Sequence, residues 1–249
     1  MPNVINSFDP KQTLNPLIWN NADNDNFASI TLLPAIHLKL IRIANLFIHS
    51  IKLKDLHIKD LIFTGSLANY NWSEFSDIDL HVVVDKSKID VDTEILDDYF
   101  NIKKEAFNSK HDIKIKSFDV ELYIQDSEEE HTAQGVYSIV FDKWLREPSK
   151  DHKNIDKAAI KLKVKDFITK INAIKDMVAS EENPKDIIDA IQTLKDKIKK
   201  YRKSGLSSNG EYSDENLVFK YLRRTNYLEN LSDYKIETIN RMFSLQEIQ

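Results

Sequence analysis

The segment between residues 62 and 84 constrains the fold and the chemistry of this chain more than any other feature. It reads as an apolar strand that ends in Gly65 and Ser66, a connection of ten residues, and a second strand that opens with Asp77 and Asp79. Because strand side chains alternate in direction, the two aspartates should point to the same side of a sheet. Carboxylates this close repel each other unless a cation lies between them, and Mg²⁺ prefers carboxylates together with substrate phosphates. The Gly-Ser turn offers backbone N–H groups and a hydroxyl to phosphate oxygens. The segment therefore predicts a metal-dependent phosphoryl or nucleotidyl transfer site.

This arrangement resembles the signature of the DNA-polymerase-β-like nucleotidyltransferase superfamily. That signature is Gly-[Gly/Ser] after an apolar strand and, further along, Asp-x-[Asp/Glu] between apolar neighbours. Gly65, Ser66, Asp77 and Asp79 match it in residue type and in order. The resemblance implies an NTP as substrate, Mg²⁺ as cofactor with Mn²⁺ as an alternative ion, and a third carboxylate on a neighbouring strand.

The stretch 118–124 supplies candidates for that third carboxylate. Its apolar residues occupy alternate positions, so Asp119 and Glu121 share the other face of the expected strand. We expect Glu121 to complete the metal site with Asp77 and Asp79, and Asp119 is the alternative. The superfamily more often has Asp at this position, so the departure to Glu leaves the metal geometry open.

A wider similarity covers the chain from Asp9 onward. It is to poorly characterised nucleotidyltransferase-domain proteins of tailed bacteriophages and some bacteria, and the residues that carry it are 64–72, 121–126 and 135–138. This similarity implies the cytoplasm of the host if the protein is phage-encoded, and it implies no defined substrate.

Composition narrows the class of protein. The absence of cysteine excludes disulfides, thiolate zinc sites and a cysteine nucleophile. No run of eighteen apolar residues and no signal-peptide pattern at the first residues occur, so we expect a cytoplasmic protein with no membrane partner. Residues 151–249 hold 19 Lys+Arg against 16 Asp+Glu, whereas residues 1–150 hold 16 against 24. An acidic catalytic half beside a mildly basic half suits a metal site that faces a polyanion, although a solvated helix surface explains the difference equally well.

The hydrophobic pattern predicts an α+β fold, in which a small mixed β-sheet carries helices on one face and a helical lobe follows. The predicted regions are an irregular arm over 1–33 anchored by Trp19 and Phe27, a catalytic core over 34–150, and a helical C-terminal lobe over 151–249. The predicted elements are a helix at 34–51, strands at 59–64 and 78–85, a helix at about 91–108, one or two strands in 113–125, and helices at 154–179, 184–201, from 213 onward and at 234–244.

Two local patterns predict details of individual helices. Gly205 is expected to end the helix that opens with Asn183 and Pro184. In the helix at 91–108 the buried side is expected to consist of Ile95, Tyr99, Ile102 and Phe107.

Four further residues are candidates for substrate contact. Tyr137 could stack on a nucleotide base, or it could be a core tyrosine with a bonded hydroxyl. Lys220 and Arg223 share one side of a helix, where they would face the substrate cleft or form a solvated surface. His81 follows Asp79 by two residues and lies on the same side of its strand.

Together these observations predict a reaction. Two Mg²⁺ ions would bridge Asp77, Asp79 and Glu121 with the triphosphate of an NTP, which Ser66 and the neighbouring N–H groups would hold. NMP would pass to an acceptor hydroxyl with release of pyrophosphate. RNA, a protein hydroxyl, a small metabolite and a second nucleotide all remain candidate acceptors. The alternatives are pyrophosphate transfer, as in alarmone synthetases on a related fold, and a non-catalytic nucleotide- or RNA-binding module.

Overall fold

The structure is a computed structural model, and its described residues are 3–53, 56–131, 133–150 and 154–244. It is α+β, as the sequence predicts. The chain divides into two compact units, which we call the sheet unit (Pro10–His152) and the helical unit (Met1–Asp9 with Lys153–Gln249). The predicted boundary after residue 150 lies close to this division. The predicted arm over 1–33 does not form a region of its own, because its first residues belong to the helical unit and the rest to the sheet unit.

In chain order, the helices and strands of the described residues are α1 (Asn3–Asn6), β1 (Trp19–Asn20), β2 (Thr31–Leu32), α2 (Pro34–Ile51), β3 (Ile58–Thr64), β4 (Ile78–Val84), α3 (Thr93–Lys110), β5 (Lys114–Ile115), β6 (Phe118–Asp126), β7 (Val136–Ser138), β8 (Lys143–Arg146), α4 (Lys157–Ala179), α5 (Pro184–Asn209), α6 (Asp214–Arg224) and α7 (Tyr227–Phe243).

Within the described residues, the sheet unit is built on a mixed sheet of six strands in the order β5-β6-β4-β3-β7-β8. β4 and β6 are parallel and are connected through α3, whereas the other neighbouring strands are antiparallel. A parallel pair needs such a crossover, since a short turn can only reverse the chain. The crossover brings β6 beside β4 with Asp79 directly opposite Glu121.

One face of this sheet packs against α2 and α3. Leu80, Val82 and Leu122 point to that face and share a core with Phe47 of α2 and Phe100 of α3. The acids of the predicted site occupy the alternate positions of β4 and β6 and therefore point to the other face. The prediction of a mixed sheet with helices on one face is confirmed.

Helix α3 is present as expected, but it turns a different side to the core. It buries Leu96, Phe100 and Phe107, while Ile95 is 64% exposed and Ile102 is 63% exposed. The prediction that Ile95 and Ile102 lie on the buried side is wrong. The helix carries two overlapping apolar stripes, and packing against the sheet and α2 selects one of them.

Residues 10–33 are anchored to the sheet unit by aromatic packing. Trp19 is buried, its indole N–H donates to the carbonyl of Leu67 at 2.7 Å, and its ring stacks on Trp144 with 4.6 Å between centroids. Phe27 packs edge-on against the same Trp144 ring. Both predicted anchors therefore pack against Trp144 inside the sheet unit.

The helical unit consists of α4 to α7 with the short N-terminal α1. Val4, Ile5 and Phe8 are buried in the core that these helices share, which explains why the first residues join this unit. Asn183 and Ser213 cap α5 and α6 with their side-chain oxygens, as predicted. Among the described helices, none combines the length and the apolar character needed to cross a membrane.

Gly205 does not end a helix. Helix α5 continues to Asn209, and Gly210, with φ of 71°, forms its C-terminal cap. A Cβ atom on Gly205 would lie 2.5 Å from the Cβ of Glu215, so this glycine allows the beginning of α6 to approach α5 closely. The prediction failed because a glycine required for close packing looks the same in sequence as a glycine required for a cap.

Candidate active site

Three carboxylates converge on the face of the sheet opposite α2 and α3. Asp79 and Glu121 are directly opposed on the parallel strands β4 and β6, and Asp77 precedes β4 by one residue on the same side. One carboxylate oxygen from each of the three residues lies within 4.8 Å of those of the other two, and all three residues are half-buried. Like charges this close repel one another, so the arrangement favours a cation between them.

The structure distinguishes Glu121 from Asp119. Asp119 lies opposite Lys114 on β5, and the two side chains form an ion pair at 2.5 Å that is largely exposed to solvent. It does not belong to the group formed by Asp77, Asp79 and Glu121. Glu121, the expected third carboxylate, therefore lies in the cluster. The alternative prediction, in which Asp119 is a metal ligand, is wrong.

Gly65 lies directly against the cluster. Its φ of 79° is in the region that favours glycine, and a Cβ atom there would be 1.8 Å from Oδ2 of Asp79. Thr64, the last residue of β3, pairs with Asp79 across the antiparallel ladder, which fixes the turn beside the carboxylate. The glycine of the motif is thus required by close approach as well as by backbone conformation.

Ser66 follows this turn, and its hydroxyl is engaged within the loop. It donates to Oγ of Ser76 at 2.8 Å, and the same oxygen accepts from the backbone N–H of Ser73 at 2.9 Å. The turn is therefore held rigidly between β3 and β4. The role of Ser66 as a phosphate ligand stays a prediction.

Two aromatic side chains lie next to the acids. The Tyr123 hydroxyl donates to Oε2 of Glu121 at 2.5 Å, and its ring lies 4.9 Å from that of His81. Burial, the hydrogen bond to Glu121 and the negative charges of the cluster raise the pKa of Tyr123, so this phenol remains a proton donor at neutral pH. Burial lowers the pKa of His81, whose Nδ1 lies 2.9 Å from Oε1 of Gln125.

The role of Tyr123 was not predicted from the sequence. The signal was available, because Tyr123 follows Glu121 by two residues in a strand with strict alternation and must share its face. Gln125 continues the same series one step further and is buried.

A small cavity adjoins the acids along the same face of the sheet. Its volume is about 210 Å³. Cavities that enclose a whole drug-sized ligand are generally larger, about 300–1,000 Å³, so this one suits part of a substrate. The polar side chains that line it include Thr64, His81, Tyr123, Gln125, Glu129 and His131.

Tyr137 lies away from this cavity, in the core. It is fully buried on β7, its hydroxyl donates to Asp142 at 2.5 Å, and its ring packs edge-on against Trp19 and Trp144. Burial and the hydrogen bond to Asp142 raise the pKa of Tyr137. Neither face of the ring is accessible to a base, so the core interpretation replaces the assignment of Tyr137 to nucleotide binding.

Lys220 and Arg223 are on α6 in the helical unit. Lys220 is mostly buried and forms an ion pair with Glu211 at 2.9 Å, and Asn216, one turn earlier, is fully buried. Arg223 is exposed. Lys220 thus has a structural partner within its own unit, and a contact of either residue with the triphosphate stays a prediction.

Comparison of the chain with models of known protein families gives no match, and comparison with curated proteins gives none either.

Proposed function

We propose that this protein is a Mg²⁺-dependent nucleotidyltransferase that moves an NMP from an NTP to an acceptor hydroxyl and releases pyrophosphate. The observation that carries the proposal is the convergence of Asp77, Asp79 and Glu121, with carboxylate oxygens within 4.8 Å of one another on one sheet face. Such a group costs folding free energy through mutual repulsion, and a divalent cation would offset that cost.

The donor set fits the proposed ion. Hard carboxylate oxygens on rigid strands suit Mg²⁺, and Mn²⁺ accepts the same ligands. When bound, the ion would supply charge stabilisation to the transferring phosphoryl group and would activate the attacking hydroxyl.

The remaining residues of the site position substrate and ligands. Gly65 keeps the turn free of a side chain, so backbone N–H groups beside Asp79 can approach phosphate oxygens. Ser66 would add its hydroxyl to that contact by leaving Ser76. Tyr123 holds the carboxylate of Glu121 through a donated hydrogen bond and thereby fixes its orientation.

The first experiment asks for the reaction itself. The full chain is incubated with each α-³²P-labelled NTP, Mg²⁺ and a pool of host RNA, protein and metabolites. We expect label on one acceptor fraction together with pyrophosphate release. Release of labelled AMP with transfer of pyrophosphate would replace the proposal by the alarmone-synthetase-like reaction.

The second experiment tests the metal site without activity. Thermal unfolding is followed with EDTA, Mg²⁺ or Mn²⁺ for the wild type and for Asp79→Asn. Because an ion that binds only the folded state stabilises it, Mn²⁺ should raise the melting temperature of the wild type and leave the variant unchanged. Equal shifts of the melting temperature in both proteins would contradict the metal site. Binding of Mn²⁺ without transfer to any acceptor would contradict the catalytic proposal.

A further inference from the structure

A second cavity, separate from the acidic cluster, lies wholly within the helical unit between α5, α6 and α7. Its volume is about 520 Å³. Three basic residues of α5 line it at positions i, i+4 and i+7, which places them on one side of that helix: Lys195, Lys199 and Arg202. Its apolar lining consists of Ile198, Phe219 and Leu228.

Two of the basic side chains at this cavity donate hydrogen bonds to neutral partners. Lys195 donates to the hydroxyl of Ser232 at 2.8 Å, and Nε of Arg202 donates to Oδ1 of Asn216 at 3.2 Å. Within the part of the chain that the structure describes, neither residue forms an ion pair, and Lys199 forms none. Among the described residues, Asp196 is the single acid in the lining, and it accepts a hydrogen bond from Gln192 at 3.1 Å. The cavity therefore carries an excess of positive charge.

Arg202 is held in a geometry that suits an anion. Its guanidinium lies over the ring of Phe219, 4.1 Å from the centroid, and its Nε is bonded to Asn216. These two contacts hold the side chain, and the hydrogen bond to Asn216 uses only one of the five N–H donors of the guanidinium. Burial lowers the pKa of Arg202, and the charge of nearby Arg223 acts in the same direction, opposed by the charge of Glu211. An anion in the cavity would offset this unfavourable environment.

We propose that this cavity is a metal-independent binding site for a nucleoside phosphate. Lys195, Lys199 and Arg202 would contact the phosphate, because Lys and Arg are the usual phosphate ligands and a fixed guanidinium loses little entropy on binding. The apolar lining around Phe219 would pack against the nucleoside. The volume falls in the range of cavities that enclose one small ligand.

A mononucleotide fits better here than an RNA strand. A polyanion is generally bound by an extended basic surface, whereas residues 151–249 carry 19 Lys+Arg against 16 Asp+Glu. This inference goes beyond the proposed nucleotidyl transfer, since it requires neither the acids of the sheet unit nor a metal.

The test is a binding titration in EDTA with the full-length Asp79→Asn variant as background, so that metal-dependent binding at the acidic cluster does not contribute. The probe is fluorescently labelled AMP or ATP, and unlabelled inorganic triphosphate is the competitor. A labelled oligoribonucleotide is titrated separately as a second probe. We expect Lys199→Glu to weaken nucleotide binding by about tenfold or more, the effect of losing one charge-assisted contact and adding a repulsive one. Lys200→Glu is the matched control, because Lys200 is exposed and adjacent in sequence but does not line the cavity.

Each alternative outcome overturns the proposal in a different way. No nucleotide binding in EDTA, or equal losses in Lys199→Glu and Lys200→Glu, would remove the site. Binding of inorganic triphosphate as tight as that of ATP would remove the role of the apolar lining. Tight binding of the oligoribonucleotide without mononucleotide binding would assign the surface to RNA instead. Because Lys199 is exposed, its substitution is compatible with folding, and the circular dichroism spectrum provides the check.

Discussion

An ion pair in the helical unit and the acidic cluster in the sheet unit arrange charged side chains in opposite ways. In the helical unit the mostly buried Lys220 lies 2.9 Å from Glu211, so positive charge meets negative charge. In the sheet unit Asp77, Asp79 and Glu121 bring three negative charges within 4.8 Å of one another. The first arrangement satisfies both charges without any ligand, whereas the second would gain stability from the cation that we propose to bind there.

This difference distinguishes charges that pair within the fold from charges that we propose to bind a ligand. Because Lys220 has a partner of opposite charge within the helical unit, its position gives no reason to assign a substrate to it. Convergence of like charges opposes folding, and proteins generally retain it where a ligand or a reaction needs it. The cavity beside Arg202 likewise gathers like charges, here the positive charges of Lys195, Lys199 and Arg202.

The largest expected effect is on catalysis when the acidic cluster is altered. Asp79→Asn keeps the side-chain volume but removes a charged ligand, so the rate of transfer should fall by at least about 10³-fold. The rate of Glu121→Gln should fall similarly. Asp119→Asn should keep its activity, because Asp119 pairs with Lys114 outside the cluster. The measurement is the initial rate of label transfer at saturating NTP. Wild-type turnover in Asp79→Asn would refute the mechanism, and a large loss in Asp119→Asn would refute the assignment of the third ligand.

The next largest effect is expected when a glycine is replaced by alanine in each unit. In Gly65→Ala the new methyl group would meet Oδ2 of Asp79, so we expect a loss of transfer rate of about 10²-fold from displaced catalytic groups. In Gly205→Ala the methyl group would meet Glu215 in the helical unit, and we expect a loss of stability of about 1–3 kcal/mol from overpacking with activity retained below the unfolding transition. Urea unfolding and initial rates are measured for both variants. The comparison fails if Gly205→Ala loses catalysis while folded, or if Gly65→Ala retains it.

The third effect concerns the paired charges of the helical unit. In Lys220→Met the half-buried carboxylate of Glu211 loses its main partner, and we expect a loss of unfolding free energy of about 2 kcal/mol at neutral pH. Burial raises the pKa of Glu211, but the charge and hydrogen bond of Lys220, the charge of Arg202 and the hydrogen bond of Asn216 together outweigh it, so the pKa lies below its ordinary value. In the wild type the contribution of Glu211 is therefore present above its unfolded pKa and is lost as the pH falls through the lowered folded pKa.

The pH dependence provides the check on that effect. The difference between wild type and Lys220→Met should shrink toward about pH 4, where Glu211 is about half protonated or more in the unfolded chain. Unfolding by urea at neutral and acidic pH measures it, with Lys200→Met as an exposed control of unchanged stability. A variant with wild-type stability but weakened NTP binding would instead support the predicted contact of Lys220 with substrate.

The smallest expected effect comes from Tyr123. Tyr123→Phe removes the hydrogen bond that orients Glu121, so the rate of transfer should fall by about tenfold, as for one lost hydrogen bond to a charged group. Tyr99→Phe is the matched control, since the Tyr99 hydroxyl donates to the carbonyl of Ile51, a contact that does not involve the acidic cluster. Equal losses in the two variants would show that Tyr123 supports only the fold of the sheet unit.

Local patterns in the sequence determined the elements and much of the site. The alternation of β4 places Asp77 and Asp79 on one side of the strand, and a turn with a glycine against that side follows from the spacing of the motif. The helix starts at Pro34 and Pro184 were likewise predictable, because proline is favoured in the first turn. These features depend on neighbours within a few residues, which the sequence contains directly.

The tertiary structure decided what depends on distant partners. Alternation puts Asp119 and Glu121 on the same face, and only the register of β6 against β4 sets Glu121 opposite Asp79. Packing across the molecule also buried Tyr137 and kept Gly205 inside a helix. A sequence states which face a side chain takes along its own strand or helix, but the partner that meets it is fixed by contacts between segments far apart in the chain, and these form only when the whole unit packs.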